Sequence, residues 1–432
     1  MDDFALFLPP TGLRPGTISL PGSKSITNRS LLLAALSDNT CHLHNALCSD
    51  DTRYLKQALI NLAIPIEEIK PDEILIQGKG GQFPATAPAL YLGNAGTAFR
   101  PLTAILALQQ GQYRLCGNTR MHERPIQDLV EALRQVGARI NYTGEVGYPP
   151  LTIEAFCDNH ISKIFVHGKI SSQYLSALLI ALPILRREIS IEVVGELISK
   201  PYVRLTLDLI EKFGVFIQTD RLQSFFISKS QSYHAPEHYM IESDASSASY
   251  FLAAAYLTGV PLTLKGIGKN SIQGDLQLIY ELAKLGANYQ FKEDSVTLSR
   301  APEQPVPAFT IEANSIPDAA MVFCILALVA RGRSTITGIA SWKVKETDRI
   351  EAMKTELQKL GAEVTTTGSS IQITPPYRLK PNVGIDTYDD HRMAMCFSLI
   401  SLLGVPVTIN GASCVNKTFP EYFTIFNSLK QT

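Results

Sequence analysis

The chain has 432 residues, 45% of them hydrophobic and 18% charged, and its formal net charge is −1 at pH 7. These values predict an ordinary globular protein of two or three domains, and the lack of a basic excess argues against a nucleic-acid or membrane surface. The seven scattered cysteines contain no C-x-x-C pair, and we find no signal peptide and no apolar run of membrane length, so we expect reduced thiols in a cytoplasmic protein.

The first predicted elements are two short strands, over Phe4–Leu8 and Thr17–Leu20. A helix follows that ends near Leu36 and is apolar on every face, which is typical of a helix buried all round. Lys24 and Ser25 lie at its N-terminus, where free backbone N–H groups and the positive end of the helix dipole meet. This combination predicts an anion site.

The same pattern, a small polar opening before an apolar helix, recurs at steps of about 72 to 75 residues, so the chain is an internal repeat. The further apolar helices are predicted over Ala98–Leu108, Tyr174–Leu185, Ala248–Leu257, Ala319–Val329 and Met393–Leu403. A strand follows each apolar helix, and then an amphipathic helix. The amphipathic helices are predicted over Arg53–Ile64, Ile126–Val136, Arg204–Phe213, Leu276–Leu285, Arg349–Leu360 and Glu421–Leu429. Together these elements predict an α/β fold with six βαβαββ repeats.

The sixth repeat stops after its amphipathic helix and lacks a strand pair, which the strands within residues 4–20 would supply. We therefore expect one domain to contain residues 1–22 and 242–432, and the other to contain residues 23–241. Each domain would hold three repeats, with the apolar helices inside and the sheets and amphipathic helices around them. If the buried helices run parallel, their N-termini emerge on one face. The active site is then expected in a cleft between the two domains.

Cations cluster near the predicted helix openings, where guanidinium and ammonium groups would bind carboxylate or phosphate. They are Lys24, Arg29, Arg100, Arg120, Arg124, Lys200, Lys343, Lys345, Arg349, Arg392 and Lys417. Taken singly, each is more often a solvated or ion-paired side chain. As a set at one structural level, they indicate a local site for anions.

Two carboxylates stand among these cations. Asp318 precedes the fifth apolar helix, where a plain N-cap is the simpler interpretation. Glu346 follows Lys345, where an ion pair or a helix start competes with a chemical role. We interpret His391 as the partner of a neighbouring aspartate rather than as a catalyst. No group has metal-ligand spacing and no nucleotide-binding motif is present, so we expect neither a metal nor a nucleotide cofactor.

Nine stretches, which fall in every predicted repeat except the fourth, resemble the 5-enolpyruvylshikimate-3-phosphate (EPSP) synthase family. They are Pro21–Arg29, Leu92–Pro101, Arg120–Ile126, Ser171–Gln173, Ser199–Tyr202, Asp318–Met321, Lys345–Arg349, Asp389–Met395 and Lys417–Tyr422. The resemblance covers nearly the whole chain and implies two domains of inside-out α/β-barrel form that close around substrate. It also implies transfer of the enolpyruvyl group of phosphoenolpyruvate to the 5-hydroxyl of shikimate 3-phosphate. Phosphate leaves through a tetrahedral intermediate, on the route to chorismate and the aromatic amino acids.

The same resemblance implies substrate contacts, carried over residue by residue. Those for shikimate 3-phosphate are Lys24, Ser25, Arg29, Ser171, Ser172, Gln173, Ser199, Asp318, Ser341 and Lys345, with Tyr202 as a weaker candidate. Those for phosphoenolpyruvate are Lys24, Gly96, Arg124, Gln173, Arg349, Arg392 and Lys417. Many family members carry asparagine where this chain has Ser341, whose hydroxyl reaches less far.

The implied chemistry uses no metal and no cofactor, and glyphosate would compete with phosphoenolpyruvate. As catalytic groups we predict Asp318 as the base for the attacking hydroxyl, and Lys24 or Glu346 for the delivery and later removal of a methyl proton. We expect a monomer that acts on small molecules and binds neither nucleic acid nor membrane.

Three other functions are compatible with parts of the pattern. UDP-N-acetylglucosamine enolpyruvyl transferases share the implied fold, but they usually carry a reactive cysteine in the loop that is Gly117–Glu123 here, and this loop has none. Cys116 lies before the loop and is predicted to be an inert strand residue. An RNA-terminal phosphate cyclase should show nucleotide-binding signatures, which are absent. A non-enzymatic repeat scaffold would not need cations and acids at the helix openings.

Overall fold

The structure, a computed structural model, describes residues 4–431 and shows a mixed α/β fold. Within that range the helices are, in chain order, α1 (Lys24–Leu36), α2 (Asp50–Asn61), α3 (Gly96–Leu106), α4 (Thr119–His122), α5 (Gln127–Gln135), α6 (Ser172–Ala181), α7 (Lys200–Lys212), α8 (Ala245–Thr258), α9 (Gln277–Lys284), α10 (Met321–Ala327), α11 (Arg349–Lys359), α12 (His391–Ser398) and α13 (Tyr422–Ser428). The strands are β1 (Leu6–Leu8), β2 (Gly16–Ser19), β3 (Thr40–His44), β4 (Ile66–Lys70), β5 (Glu73–Gln77), β6 (Leu90–Tyr91), β7 (Tyr113–Cys116), β8 (Arg139–Tyr142), β9 (Leu151–Glu154), β10 (Lys163–His167), β11 (Ile189–Val194), β12 (Ile217–Asp220), β13 (Ser224–Ile227), β14 (His238–Met240), β15 (Leu262–Lys265), β16 (Ala287–Phe291), β17 (Ser295–Arg300), β18 (Thr310–Glu312), β19 (Ser334–Thr337), β20 (Glu363–Thr366), β21 (Ser370–Thr374), β22 (Val383–Asp386) and β23 (Val407–Asn410).

Contacts between residues divide the chain into two compact units. Unit A is Gly22–Glu242. Unit B is the segment that ends at Pro21 together with the chain from Ser243 onward. The predicted domains, residues 1–22 with 242–432 and residues 23–241, differ from these units by one residue at each crossing.

The two residues at the crossings belong to unit A because of local contacts. The carbonyl of Glu242 accepts a hydrogen bond from the amide of Ser23 at 2.8 Å. Gly22 packs so closely on Asn45 that a Cβ there would lie 1.8 Å from the Asn45 carbonyl oxygen. Such contacts leave no trace in the repeat spacing on which the predicted boundary rested.

Three four-stranded sheets form in unit A, and their strands are arranged in the same pattern in the described residues. The orders are β14-β3-β5-β4, β6-β7-β9-β8 and β10-β11-β13-β12. The first two strands of each sheet are parallel, and the remaining pairs are antiparallel. The first sheet takes its parallel strand, β14, from the far end of the unit, where Tyr239 pairs with Leu43.

Unit B has two four-stranded sheets of the same order and one three-stranded sheet within the described chain. They are β2-β15-β17-β16, β18-β19-β21-β20 and β22-β23-β1. Strand β1 pairs antiparallel with β23, with Leu6 opposite Ile409, and β2 pairs parallel with β15, with Ile18 beside Leu264. The prediction that both N-terminal strands complete the sixth repeat was therefore correct for β1 and wrong for β2. Strand β2 instead supplies the parallel neighbour that β15 of the fourth repeat requires.

The apolar helices are buried, as the missing polar stripe predicts. In α1 every residue except Ser25 is buried, and α8 is buried over Ala245–Tyr256. Within unit A, α3 packs on α1 and α6, and within unit B, α10 packs on α8 and α12. Each fully buried leucine of such a helix contributes about 1.5–3 kcal/mol to stability. None of the helices in residues 4–431 combines the length and the apolar character needed to cross a membrane.

Three of the apolar helices are shorter than predicted. Helix α6 ends at Ala181 and gives way to a 3₁₀ turn over Leu182–Leu185. Helix α10 begins only at Met321, and α12 gives way to a 3₁₀ turn over Leu399–Leu403. Asp318 consequently lies in the turn before α10, whose N-cap is Ala320. The Asp318 carboxylate therefore does not cap the helix and meets other side chains instead.

Candidate active site

One carboxylate of unit B, that of Asp318, is surrounded by three cations. Its Oδ1 lies 3.0 Å from Nη1 of Arg349 and 3.1 Å from Nζ of Lys345. Its Oδ2 accepts a hydrogen bond from Nη2 of Arg392 at 3.1 Å. The Asp318 side chain is only 17% exposed, so these charge-assisted contacts are largely shielded from water.

Arg349 joins Asp318 to two further carboxylates. Its Nε donates to Oδ2 of Asp390 at 2.7 Å, and its Nη2 donates to Oε2 of Glu346 at 2.8 Å. Asp390 also caps α12, because its Oδ1 accepts a hydrogen bond from the amide of Arg392 at 2.9 Å. The Arg349 side chain is 1% exposed. Its planar fork thus fixes the first turns of α11 and α12 against the turn that holds Asp318.

The charges of this cluster set its protonation state. Burial alone would raise the pKa of Asp318, but Arg392, Lys345 and Arg349 outweigh burial and hold this pKa well below its usual range. Burial also lowers the pKa of Lys345, against the opposing effect of Asp318 and with that of Arg349. At neutral pH the Asp318 side chain is therefore a carboxylate that accepts hydrogen bonds.

Two other predicted residues of unit B lie on segments that pack beside this cluster. Ser341 is buried in a 3₁₀ turn whose Trp342 donates its indole N–H to the carbonyl of Pro317 at 2.6 Å. That bond holds the turn next to Asp318. Lys417 is buried at the end of a second 3₁₀ turn, which packs on α12.

In unit A, two arginines lie over the start of α3. Nη1 of Arg124 donates to the backbone and side-chain oxygens of Asn94, at 3.0 and 2.7 Å. Nη2 of Arg100 donates to the carbonyl of Pro125 at 3.0 Å. A Cβ on Gly96 would lie 2.6 Å from Nη1 of Arg100 and 2.9 Å from Nη2 of Arg124. Glycine at this position therefore lets two cations approach the positive end of α3.

The start of α1 carries two more predicted cations. Nζ of Lys24 lies 3.3 Å from the Asp51 carboxylate. Nε of Arg29 donates to the Thr206 hydroxyl at 2.9 Å, and its Nη1 donates to the carbonyl of Ser25 at 3.0 Å. Burial lowers the pKa of Arg29 to about 10. Arg29 is still charged at neutral pH, and these two partners are neutral oxygens.

The opening of α6 carries a row of three predicted contacts, Ser171, Ser172 and Gln173. Ser171 is the N-cap, and its hydroxyl accepts a hydrogen bond from the amide of Gln173 at 3.2 Å. The next residue, Tyr174, donates its hydroxyl to the carbonyl of Pro125 at 2.6 Å. Because Arg100 contacts the same carbonyl, the openings of α6 and α3 lie side by side.

Direct contacts join five predicted site residues of unit B in one network, namely Asp318, Lys345, Glu346, Arg349 and Arg392. In unit A the predicted residues form groups at the starts of α1, α3 and α6. The first two groups are joined by Asn28, whose amide donates to the Thr97 hydroxyl at 2.8 Å. Ser199 precedes α7 with a φ of 52°, and α7 is the helix whose Thr206 binds Arg29.

Three polar residues of these sites were missed by the sequence analysis: Asp390, Asn94 and Asp51. Asp390 was considered as a residue of a helix opening and, with Asp389, as a possible partner of His391, whose Nδ1 lies 3.6 Å from Oδ1 of Asp390. The aspartate at a helix opening, two residues before an arginine, was the available signal for the capping role of Asp390. Asn94 and Arg124 are 30 residues apart, and no local pattern marks such a pair.

Comparison with known proteins gives one consistent family. The family described as EPSP synthase (3-phosphoshikimate 1-carboxyvinyltransferase) matches residues 11–426. A protein from Neisseria meningitidis serogroup B is 54% identical over 425 residues and covers 98% of each chain. Another, from Ralstonia pickettii, is 52% identical over 419 residues and covers 96% of each chain. Both relatives are named 3-phosphoshikimate 1-carboxyvinyltransferase.

Solved structures agree with this family match. An EPSP synthase from Acinetobacter baumannii superposes with a TM-score of 0.81 at 26% identity, over 99% of this chain and 98% of that one. The enolpyruvyl transferase NikO from Streptomyces tendae gives a TM-score of 0.78 at 15% identity, over 99% and 98% of the two chains. The second match supports the fold alone. The predicted two-domain α/β fold is confirmed by these structures.

Proposed function

The chain belongs to the EPSP synthase family, and we propose on this basis that it transfers the enolpyruvyl group of phosphoenolpyruvate to the 5-hydroxyl of shikimate 3-phosphate, releasing phosphate. Beside family membership, the observation that carries the proposal is the Asp318 carboxylate held among three cations. A site with this charge arrangement suits two multiply anionic substrates whose reaction moves protons and releases phosphate.

The reaction has two steps. The 5-hydroxyl oxygen bonds to the enol carbon of phosphoenolpyruvate while a proton adds to its terminal methylene, which gives a tetrahedral intermediate with a methyl group. That intermediate loses a methyl proton and phosphate, and the carbon–carbon double bond forms again. We assign Asp318 as the base that takes the hydroxyl proton, and Lys24 and Glu346 as the candidates that handle the methyl proton.

Asp318 is a weak base while three cations surround it, because they hold its pKa well below the usual range. The carboxylate and phosphate of phosphoenolpyruvate compete with Asp318 for Arg349 and Arg392, whose planar forks match such groups. An arginine that turns from Asp318 to the substrate raises the proton affinity of the carboxylate it leaves. In this proposal, substrate binding itself prepares the base.

We propose the same substrate contacts that the sequence implies. For phosphoenolpyruvate they are Lys24, Gly96, Arg124, Gln173, Arg349, Arg392 and Lys417. For shikimate 3-phosphate they are Lys24, Ser25, Arg29, Ser171, Ser172, Gln173, Ser199, Asp318, Ser341 and Lys345. Each set contains residues of unit A and residues of unit B.

The direct test is phosphate release from the purified protein given shikimate 3-phosphate and phosphoenolpyruvate. A parallel reaction replaces shikimate 3-phosphate with UDP-N-acetylglucosamine, the acceptor of the alternative enolpyruvyl transferase. We expect phosphate with the first acceptor and none with the second. Release with the UDP-sugar alone would overturn the proposal.

The proposal extends to inhibition and to the active species. Glyphosate, as an anion that occupies the phosphoenolpyruvate position, is proposed to inhibit competitively with that substrate. We propose that the active species is a cytoplasmic monomer without a cofactor. Activity that eluted only with larger species in gel filtration would contradict the monomer.

A further inference from the structure

Three histidines of unit A share the outer face of the sheet β14-β3-β5-β4. His42 and His44 are two residues apart on β3, so their side chains point to the same face, opposite the buried Cys41 and Leu43. His238 on β14 is the parallel partner of His42 in the ladder. We call these three residues the histidine cluster. None of them is among the residues assigned to the substrates.

The ring nitrogens of the histidine cluster are close enough to bind one ion. One ligand atom from each residue lies within 4.8 Å of the others, and Nε2 of His44 is 3.0 Å from Nδ1 of His238. A carboxylate is also present, because Oε2 of Glu73 on β5 lies 3.8 Å from Nε2 of His42. That Nε2 atom is buried and has no hydrogen-bond partner. The cluster thus contains a buried, unsatisfied ring nitrogen beside three further ligand atoms.

We propose that the histidine cluster binds a divalent transition-metal ion of the zinc class, with Glu73 as the fourth ligand. Three imidazoles and a carboxylate are a ligand set that Zn²⁺ accepts in tetrahedral geometry, and imidazole also suits Ni²⁺ and Cu²⁺. Ligand atoms in such a zinc site are about 3.3 Å apart. His238 can adjust to that spacing, because its side chain is 62% exposed.

A lysine beside the histidine cluster also binds the Glu73 carboxylate. Lys70 competes for Glu73, since its Nζ lies 2.7 Å from Oε1. That contact leaves Oε2, the atom nearer His42, directed toward the cluster.

A bound ion would attach β14 to β3 through side chains. Strand β14 has only three residues and is the last strand of unit A. Sequence spacing could not reveal the site, because His238 follows His44 by 194 residues. Their contact depends on the parallel pairing of the two strands.

The test uses the full chain, free of affinity tags and stripped of metal, titrated with Zn²⁺ against a chromophoric chelator. We expect one Zn²⁺ per chain with a dissociation constant of about 1 μM or lower. His42→Gln, His44→Gln and His238→Gln should each weaken binding at least about tenfold. His167→Gln, which changes another exposed strand histidine of unit A, is the matched control and should bind like the unmodified chain.

Co²⁺ provides a second readout, because its visible absorption distinguishes tetrahedral from octahedral coordination. A tetrahedral spectrum that is lost in His238→Gln supports the site, and this exposed position is the one least expected to disturb folding. Equal Zn²⁺ affinity for the unmodified chain and His238→Gln would overturn the proposal, as would an octahedral Co²⁺ spectrum. Phosphate release is measured in parallel and should not change with His238→Gln.

Discussion

The two units use the same repeat to present helix openings, but they surround their arginines with different partners. In unit B, Arg349 contacts three carboxylates and Arg392 contacts Asp318. In unit A, Arg124 donates to oxygens of Asn94, and Arg29 donates to a hydroxyl and a carbonyl. The backbone architecture is shared, and the difference lies in the charge of the acceptors.

This difference separates two tasks. A buried arginine that meets neutral oxygens keeps its full positive charge in the site, which favours an incoming anion. A buried arginine compensated by carboxylates gives a fixed, nearly neutral network, in which one carboxylate can change its proton affinity when a ligand takes the arginine. We therefore expect substitutions of the site arginines in unit A to act mainly on binding, and those of the site arginines in unit B to act on turnover and stability.

The largest effect is expected for Asp318→Asn. Loss of the proposed base should lower kcat by about 10²–10⁴-fold, with a smaller change in KM, as measured by steady-state phosphate release. Asp386→Asn is the matched control, because it removes another unit B carboxylate that binds a cation, Lys359, at 2.7 Å and is 52% exposed. Near-normal turnover of Asp318→Asn would remove Asp318 from the mechanism.

The next largest effect is expected on stability, in a comparison of Arg349→Met with Arg124→Met. Arg349→Met leaves the fully buried Asp390 without its main cation, which should lower the free energy of unfolding by about 3–5 kcal/mol. Arg124→Met removes hydrogen bonds to two neutral oxygens of Asn94. It should lower the free energy of unfolding by about 1 kcal/mol. Urea unfolding followed by far-ultraviolet circular dichroism measures both. Trp342, the single tryptophan, reports separately on unit B. Equal losses in the two variants would contradict the contrast between the units.

A smaller effect is expected for Gly96→Ala. The added methyl would lie within 2.9 Å of terminal nitrogens of Arg100 and Arg124, so one or both guanidinium groups must move. The KM for phosphoenolpyruvate should rise about tenfold, the order of one lost charge-assisted hydrogen bond, while the KM for shikimate 3-phosphate changes little. Gly144→Ala is the control, since its Cβ meets only Pro150 at 3.4 Å. An equal rise for both substrates would contradict a local effect on the phosphoenolpyruvate side.

The smallest effect concerns pH. Because the folded-state pKa of Asp318 is lowered, its stabilising contribution is complete above its unfolded pKa of about 3.9 and is lost as the pH falls below that value. The thermal midpoint of Asp318→Asn should therefore lie below that of the unmodified protein at pH 7. The gap should narrow as the pH falls below about 4. A gap that stayed constant from pH 7 to pH 3 would show that Asp318 does not carry this linkage.

Much of the fold was predictable, because the apolar helices have no polar stripe and can only be buried. The regular spacing of their polar openings also located Lys24, Gly96, Asp318 and Arg392 near helix starts. The contacts that each site side chain makes were not predictable. Asp318 and Arg392 are 74 residues apart, and their contact depends on how neighbouring repeats pack. The same holds for β2, whose partner β15 lies in another repeat.

The late start of α10 could not be predicted from the apolar pattern either. Residues 319–329 are apolar throughout, so periodicity alone extends the helix to Ala319. In the structure the helix starts at Met321, two residues later than predicted. The Asp318 carboxylate therefore lies outside the capping position and contacts cations instead. A change of half a helical turn thus separates a structural aspartate from the one proposed as a base.

The pairing of β1 with β23 and of β2 with β15 has a consequence for biosynthesis. Strands β1 and β2 leave the ribosome before unit A and must wait for partners in the chain that follows unit A, whereas unit A finds all its strands within its own stretch of chain. During translation unit A can therefore complete its sheets first, while the leading segment stays unpaired beside it. The slow event in folding is expected to be the return of that segment to unit B, a closure over most of the length of the polypeptide.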